Sequence, residues 1–129
     1  MIVIDSSALV DALLIESCSE KFANLLNQQK LVAPDHIDVE VLHSLRKIER
    51  LDQITSATAN GAVNVLRNLP IHRLSVREWT DNIWQLRHNI TPYDAAYVVL
   101  CKALDAKLLT HDQKLISSSA KYVELIQHV

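Results

Sequence analysis

Glycine is almost missing from this chain: Gly61 is the only one in 129 residues. A phosphate-cradling P-loop and a dinucleotide-binding G-x-G-x-x-G each need several glycines at fixed spacing, so both are excluded. Cysteine is scarce as well. Cys18 and Cys101 cannot build a Cys₄ zinc site or a disulfide-dense scaffold, and they read as reduced core thiols of a cytoplasmic protein. No apolar run approaches the ~20 residues that a membrane span needs, and residues 1–4 lead straight into an acid instead of a secretory pattern, so no membrane association is expected. Net charge is small too. Thirteen Lys and Arg against fifteen Asp and Glu leave −2, which provides no global basic field, so any nucleic-acid contact must be local.

What remains fits one folded domain over residues 1–129, long enough to bury a sizeable core. The β-branched run Met1-Ile-Val-Ile4 has the composition of a strand buried on both faces, and Asp5-Ser6-Ser7 behind it caps a helix. Residues 8–15 and 20–29 carry apolar side chains at helical spacing, and Leu31-Val-Ala-Pro34 is a second strand ended by proline. Helices follow over residues 35–51 and 54–69, then a strand over 71–74 and one helix from Val76 to about His88. Thr91-Pro92-Tyr93-Asp94 supplies an N-cap hydroxyl, a proline at the first helical position and an early carboxylate. A strand over 107–110, a short helix over 111–118 and a last strand over 122–126 complete the chain. Strands regularly separated by helices imply an α/β fold, with a short, mainly parallel sheet and helices on both faces.

In such a sheet the ligand site lies beyond the carboxyl ends of the strands, where strand order switches direction. Asp5 leaves the first strand, Asp112 follows the 107–110 strand, and Asp94 stands in the first turn of the helix leading into that strand. Each also sits where a helix N-cap would be, so singly none identifies a site. Glu40 lies within a helix, roughly 80° from the centre of its apolar stripe at 3.6 residues per turn, where it can reach inward past the core. Four acids without an accompanying Cys or His ligand set suit a hard divalent cation, Mg²⁺ or Mn²⁺, and such ions in a carboxylate cluster serve phosphodiester hydrolysis.

Four segments in order, Val3-Ile-Asp5-Ser-Ser-Ala8, Ala33-Pro-Asp with Glu40-Val-Leu-His-Ser-Leu-Arg46, Thr91-Pro-Tyr-Asp94-Ala-Ala-Tyr-Val-Val99 and Leu108-Leu-Thr-His-Asp112-Gln-Lys-Leu115, resemble the PIN-domain ribonucleases. Within that family they are similar to the VapC-type toxins of toxin–antitoxin pairs. The resemblance spans essentially the whole chain. It implies that Asp5, Glu40, Asp94 and Asp112 are the metal-binding and catalytic acids, with Ser6 and Thr110 as polar supports. It also implies an RNA substrate, a cognate antitoxin and a homodimer. Asp105 stands where relatives often have glycine, in the turn before Leu108, and aspartate tolerates the left-handed conformation there better than most residues.

Other features are weaker. The six histidines make no H-E-x-x-H or comparable spacing, and His111 is the one placed to touch substrate. Trp79 belongs to an apolar stripe, whereas Trp84 lies off it. Arg46, Lys47 and Arg50 form a small basic patch that is either a solvated helix face or a phosphate contact. Two rival functions are a non-catalytic RNA- or protein-binding module on the same fold and a receiver-type signalling domain. The latter needs an adjacent acid pair and a phospho-accepting aspartate that Asp5-Ser-Ser and Leu69-Pro-Ile-His do not supply.

Overall fold

A computed structural model describes residues 1–126 as five strands and seven α-helices in alternation. The strands are β1 (Ile2–Ile4), β2 (Leu31–Pro34), β3 (His72–Leu74), β4 (Lys107–Leu109) and β5 (Leu125–Ile126). The helices are α1 (Ser6–Leu14), α2 (Glu16–Gln28), α3 (Ile37–Arg50), α4 (Ser56–Asn68), α5 (Thr80–Gln85), α6 (Pro92–Leu104) and α7 (Gln113–Ser119). All strand pairings are parallel, in the order β3-β2-β1-β4-β5. The expected mainly parallel α/β sheet is therefore present.

β1 is central because its residues can be buried on both faces. Ile2, Val3 and Ile4 are at most 4% exposed, which suits a strand with neighbours and helices on every side. The chain steps outward from β1 to β2 and β3, then crosses back to lay β4 on the other flank of β1. α1 packs with α2, α3 and α4, while α6 packs with α5 and across β1, β2 and β4. α6 is nearly apolar all round, with residues 95–101 buried without a break, as a helix covering the middle of a sheet requires. The reversal of direction leaves the switch point between the carboxyl ends of β1 and β4.

Several boundaries differ from expectation for local reasons. Pro34 lies inside β2, paired with Leu74 of β3, but β1 pairs only as far as Val32, so the missing N–H falls beyond the central ladder. The segment after Val76 is a 3₁₀ turn at Arg77–Trp79 followed by short α5. β5 is shorter than expected because Tyr122 and Val123 donate their N–H groups to Ser119 O and so close a turn. Asp105 adopts φ 51° and ψ 48° as the C-cap of α6, the left-handed conformation its position calls for.

Candidate active site at the switch point

Asp5 follows β1 directly. Its N–H donates to Leu109 O at 3.1 Å, extending the β1–β4 ladder and fixing the carboxylate between the two strand ends. The side chain is 4% exposed. Its Oδ1 accepts from the Ala8 N–H at 3.0 Å and from the Ser7 hydroxyl at 2.8 Å, and its Oδ2 accepts from the Thr110 hydroxyl at 2.6 Å. Asp5 is thus an N-cap, but one with three neutral donors and almost no access to water. Burial pushes its pKa up to about 6 despite those donors, and the Asp112 charge acts in the same direction.

The same hydroxyls carry the order across to the β4 side. Thr110 Oγ1 accepts the Asp112 N–H at 3.0 Å, and Ser7 Oγ accepts the His111 N–H at 3.0 Å. Asp112 caps α7 through the N–H groups of Lys114 and Leu115, at 2.9 and 3.4 Å. His111 Nδ1 stands 2.7 Å from Asp11 Oδ2. Strand ends β1 and β4 therefore share one polar network around Asp5, built from two hydroxyls that each donate once and accept once.

The other two acids arrive on helices. Glu40, in the first turn of α3, accepts from the Tyr97 hydroxyl at 2.6 Å through Oε1. Tyr97 is 1% exposed. Burial raises its pKa, with the charges of Glu40, Asp5 and Asp94 adding to the effect, so the phenol keeps its proton and acts as a donor. His36 Nε2 lies 3.3 Å from the same Oε1, close enough for an ion pair but outside hydrogen-bond alignment. The Glu40 carboxylate raises the His36 pKa against the opposing effect of burial. Both contacts engage Oε1 and leave Oε2 as the oxygen available to a cation. Asp94 stands in the first turn of α6, where Thr91 Oγ1 accepts its N–H at 3.3 Å. Burial raises the Asp94 pKa, followed by repulsion from Asp112 and Glu40, while Lys114 opposes the shift.

The acids are linked electrostatically in a chain, Asp112 acting on Asp5 and on Asp94, and Glu40 on Asp94. Among the described residues, no three His, Cys, Asp or Glu side chains converge tightly enough to form a ready-made metal cage. An all-oxygen, mutually repelling donor set fits a hard divalent cation that would draw the carboxylates in. Of the supporting residues read from sequence, Thr110 lies at Asp5. Ser6 lines an adjacent cavity of about 440 Å³ with Glu40 and His36, and the hydroxyl bonded to Asp5 is that of Ser7.

Tyr97, Ser7 and His36 were not singled out as supports by the sequence. For Tyr97 a signal existed, since it lies three residues after Asp94 and so on the same side of α6. Trp79 is half-buried against the core, whereas Trp84 is exposed beneath the Arg87 guanidinium, 4.4 Å from its ring centroid. Arg46, Lys47 and Arg50 are all exposed, and Lys47 lines a second cavity of about 350 Å³ with Ser7, Asp11 and His111.

Comparisons with known proteins converge on one family. Residues 2–120 match the family model described as PIN domain. Ribonuclease VapC1 of Mycobacterium tuberculosis is 40% identical over 121 residues, covering 90% of this chain and 89% of that protein. Ribonuclease VapC12 of the same organism is 32% identical over 125 residues, covering 97% of each. Among solved structures, PAE2754 from Pyrobaculum aerophilum superposes with a TM-score of 0.70 at 19% identity, covering 95% of this chain and 82% of that one. VapC20 of Mycobacterium tuberculosis, a toxin that cleaves the sarcin-ricin loop, superposes with a TM-score of 0.66 at 14% identity, covering 98% and 100%. At those identities the two structures speak to the fold.

Proposed function

The chain belongs to the PIN-domain family, and from that premise we propose that it is a divalent-metal-dependent endoribonuclease, the toxin of a toxin–antitoxin pair. Asp5, Glu40, Asp94 and Asp112 are the acids that would hold Mg²⁺ or Mn²⁺. The observation that carries this reading is Asp5, a carboxylate nearly sealed from water at the switch point, raised to about pKa 6 and contacted by neutral donors only. Such a group destabilises the fold until a cation meets it.

When bound, the metal supplies a lowered pKa to the attacking water and offsets charge on the phosphodiester. The chain's own groups bind and orient. Thr110 and Ser7 fix both oxygens of Asp5, so the lone pair left on Oδ2 points in a set direction. Tyr97 clamps Oε1 of Glu40 and leaves Oε2 to the ion. Asp94 sits in the first turn of α6 and Asp112 at the N-cap of α7, where helix N–H groups ease the concentration of negative charge. Lys47 and His111, lining the neighbouring cavity, are suited to the RNA backbone on either side of the cut.

The same reading supplies partners. A small antitoxin protein would dock near residues 35–69, where Val39, Leu42, Val63 and Val65 leave aliphatic side chains exposed on α3 and α4. A homodimer in the cytoplasm completes the proposal. Among the described residues no helix is long and apolar enough to cross a membrane.

Purified protein incubated with total bacterial RNA should release discrete fragments in Mg²⁺ or Mn²⁺ and none in excess EDTA. Undiminished cutting in EDTA would contradict metal dependence. No cutting with either metal, alongside intact RNA binding, would make the chain a binding module.

A further inference from the structure

Tyr93 immediately precedes Asp94, yet its ring is 66% exposed. It meets His36 in a T-shaped contact, with ring centroids 5.9 Å apart and planes at 70°. His36 in turn packs against buried Tyr97, at 5.5 Å and 76°. Tyr93 is thus held from the core outward by a chain of rings while most of its surface stays open. Tyr93, His36, Val39, His43 and Glu40 share the cavity of about 440 Å³. The lining of that cavity therefore combines aromatic and aliphatic side chains with the Glu40 carboxylate.

We infer that Tyr93, buttressed by His36, is a stacking subsite for one unpaired nucleobase of the RNA substrate, next to the phosphate that is cut; the inference rests on the ribonuclease reading above. Single-stranded RNA is held by stacking splayed bases on Tyr and His rings, because every base offers a π face whatever its sequence. A rigidly supported ring loses little entropy on receiving a base. The site is adjacent to two of the four acids through Glu40 in its wall and Asp94 next in sequence, so a base seated there would fix the register of the backbone at the site.

The test begins by mapping where the wild type cuts total bacterial RNA in Mn²⁺ and synthesising a short RNA across that cut. Parallel oligonucleotides carry one abasic ribonucleotide at each position flanking the cut. Tyr93→Ala should raise KM on the intact RNA by roughly five- to hundredfold with kcat nearly unchanged, as expected for loss of stacking with one base. Tyr93→Phe should behave as wild type. One abasic position should impose the same KM increase on the wild type and none further on Tyr93→Ala. The Mn²⁺-induced rise in melting temperature should be the same in both variants as in the wild type, which separates the subsite from damage to the acids. Unchanged KM in Tyr93→Ala would overturn the inference and leave the ring to a protein contact. So would a Tyr93→Phe as poor as Tyr93→Ala, or an alanine loss that adds to every abasic loss. A wild type that cuts no RNA would overturn the ribonuclease reading itself, a result distinct from either.

Discussion

The two halves of the candidate site are built on different principles. Around Asp5 the strand ends of β1 and β4 are sealed from water and joined by the hydroxyls of Ser7 and Thr110, so each atom is fixed by short side chains just beyond the two strands. Around Glu40 the parts come from α3 and α6, the carboxylate is a quarter exposed, and its position depends on the reach of a tyrosine and a histidine. The first half stores electrostatic cost in a rigid frame. The second holds the Glu40 carboxylate by a clamp of longer side chains. A cation needs both: a fixed carboxylate to define where it sits, and adjustable ones to close the coordination shell around it.

The sharpest way to break this contrast is Asp5→Asn. Asparagine keeps an acceptor for the Ala8 N–H while removing the charge, so cleavage should fall by about a thousandfold or more, in line with the several kcal/mol a metal contributes. Metal-free stability should move the opposite way. In the folded chain Asp5 keeps its proton up to about pH 6, against an ordinary value of 3.8. The folded state then binds more protons than the unfolded one between those values, so wild-type stability in EDTA declines as pH rises through that window. Asp94, also raised, contributes with the same sign. Melts at neutral pH in EDTA should show Asp5→Asn more stable than wild type, by on the order of 2 to 3 kcal/mol for a shift of this size. A destabilised variant would mark Asp5 as a structural cap.

A smaller effect probes the clamp. Tyr97→Phe removes only the hydroxyl that holds Glu40, and should weaken Mn²⁺ affinity about ten- to a hundredfold, as loss of a ligand's outer partner does. The loss should vanish when Glu40 is already Gln, which a double-mutant cycle reads directly. Equal losses in both backgrounds would separate Tyr97 from the ligand. The smallest effect belongs to Ser7→Ala. It removes the hydroxyl that accepts from the His111 N–H and donates to Asp5, and should cost about 1 kcal/mol in a denaturant melt with Thr110 still holding the other oxygen. A loss of activity as deep as that of Asp5→Asn would mean that Ser7 does more than support.

The two halves also differ in how far the sequence disclosed them. Asp5, Asp94 and Asp112 stand where a strand or a turn gives way to a helix, and such transitions are local: an apolar run, a cap, a proline at the first turn. The parallel sheet was legible for the same reason. What joins the acids is not local. Ser7 meets His111 across 104 residues and Tyr97 meets Glu40 across 57, contacts that depend on β4 returning to the far side of β1. Register hid the rest: Ser6 and Ser7 are indistinguishable as residue types, and only the geometry of the Asp5 cap selects the second. The break at Arg77–Trp79 escaped because Val76, Trp79 and Ile83 keep helical spacing across it.

The central claim is that the rigid strand-end half and the helix-borne half hold one cation together. Calorimetric titration of Mn²⁺ into metal-free wild type, Asp5→Asn and Glu40→Gln tests it directly. Saturable binding by the wild type, weakened about tenfold or more by either substitution alone, is the expected result. Wild-type affinity in either variant would show that its half lies outside the site and would contradict the account.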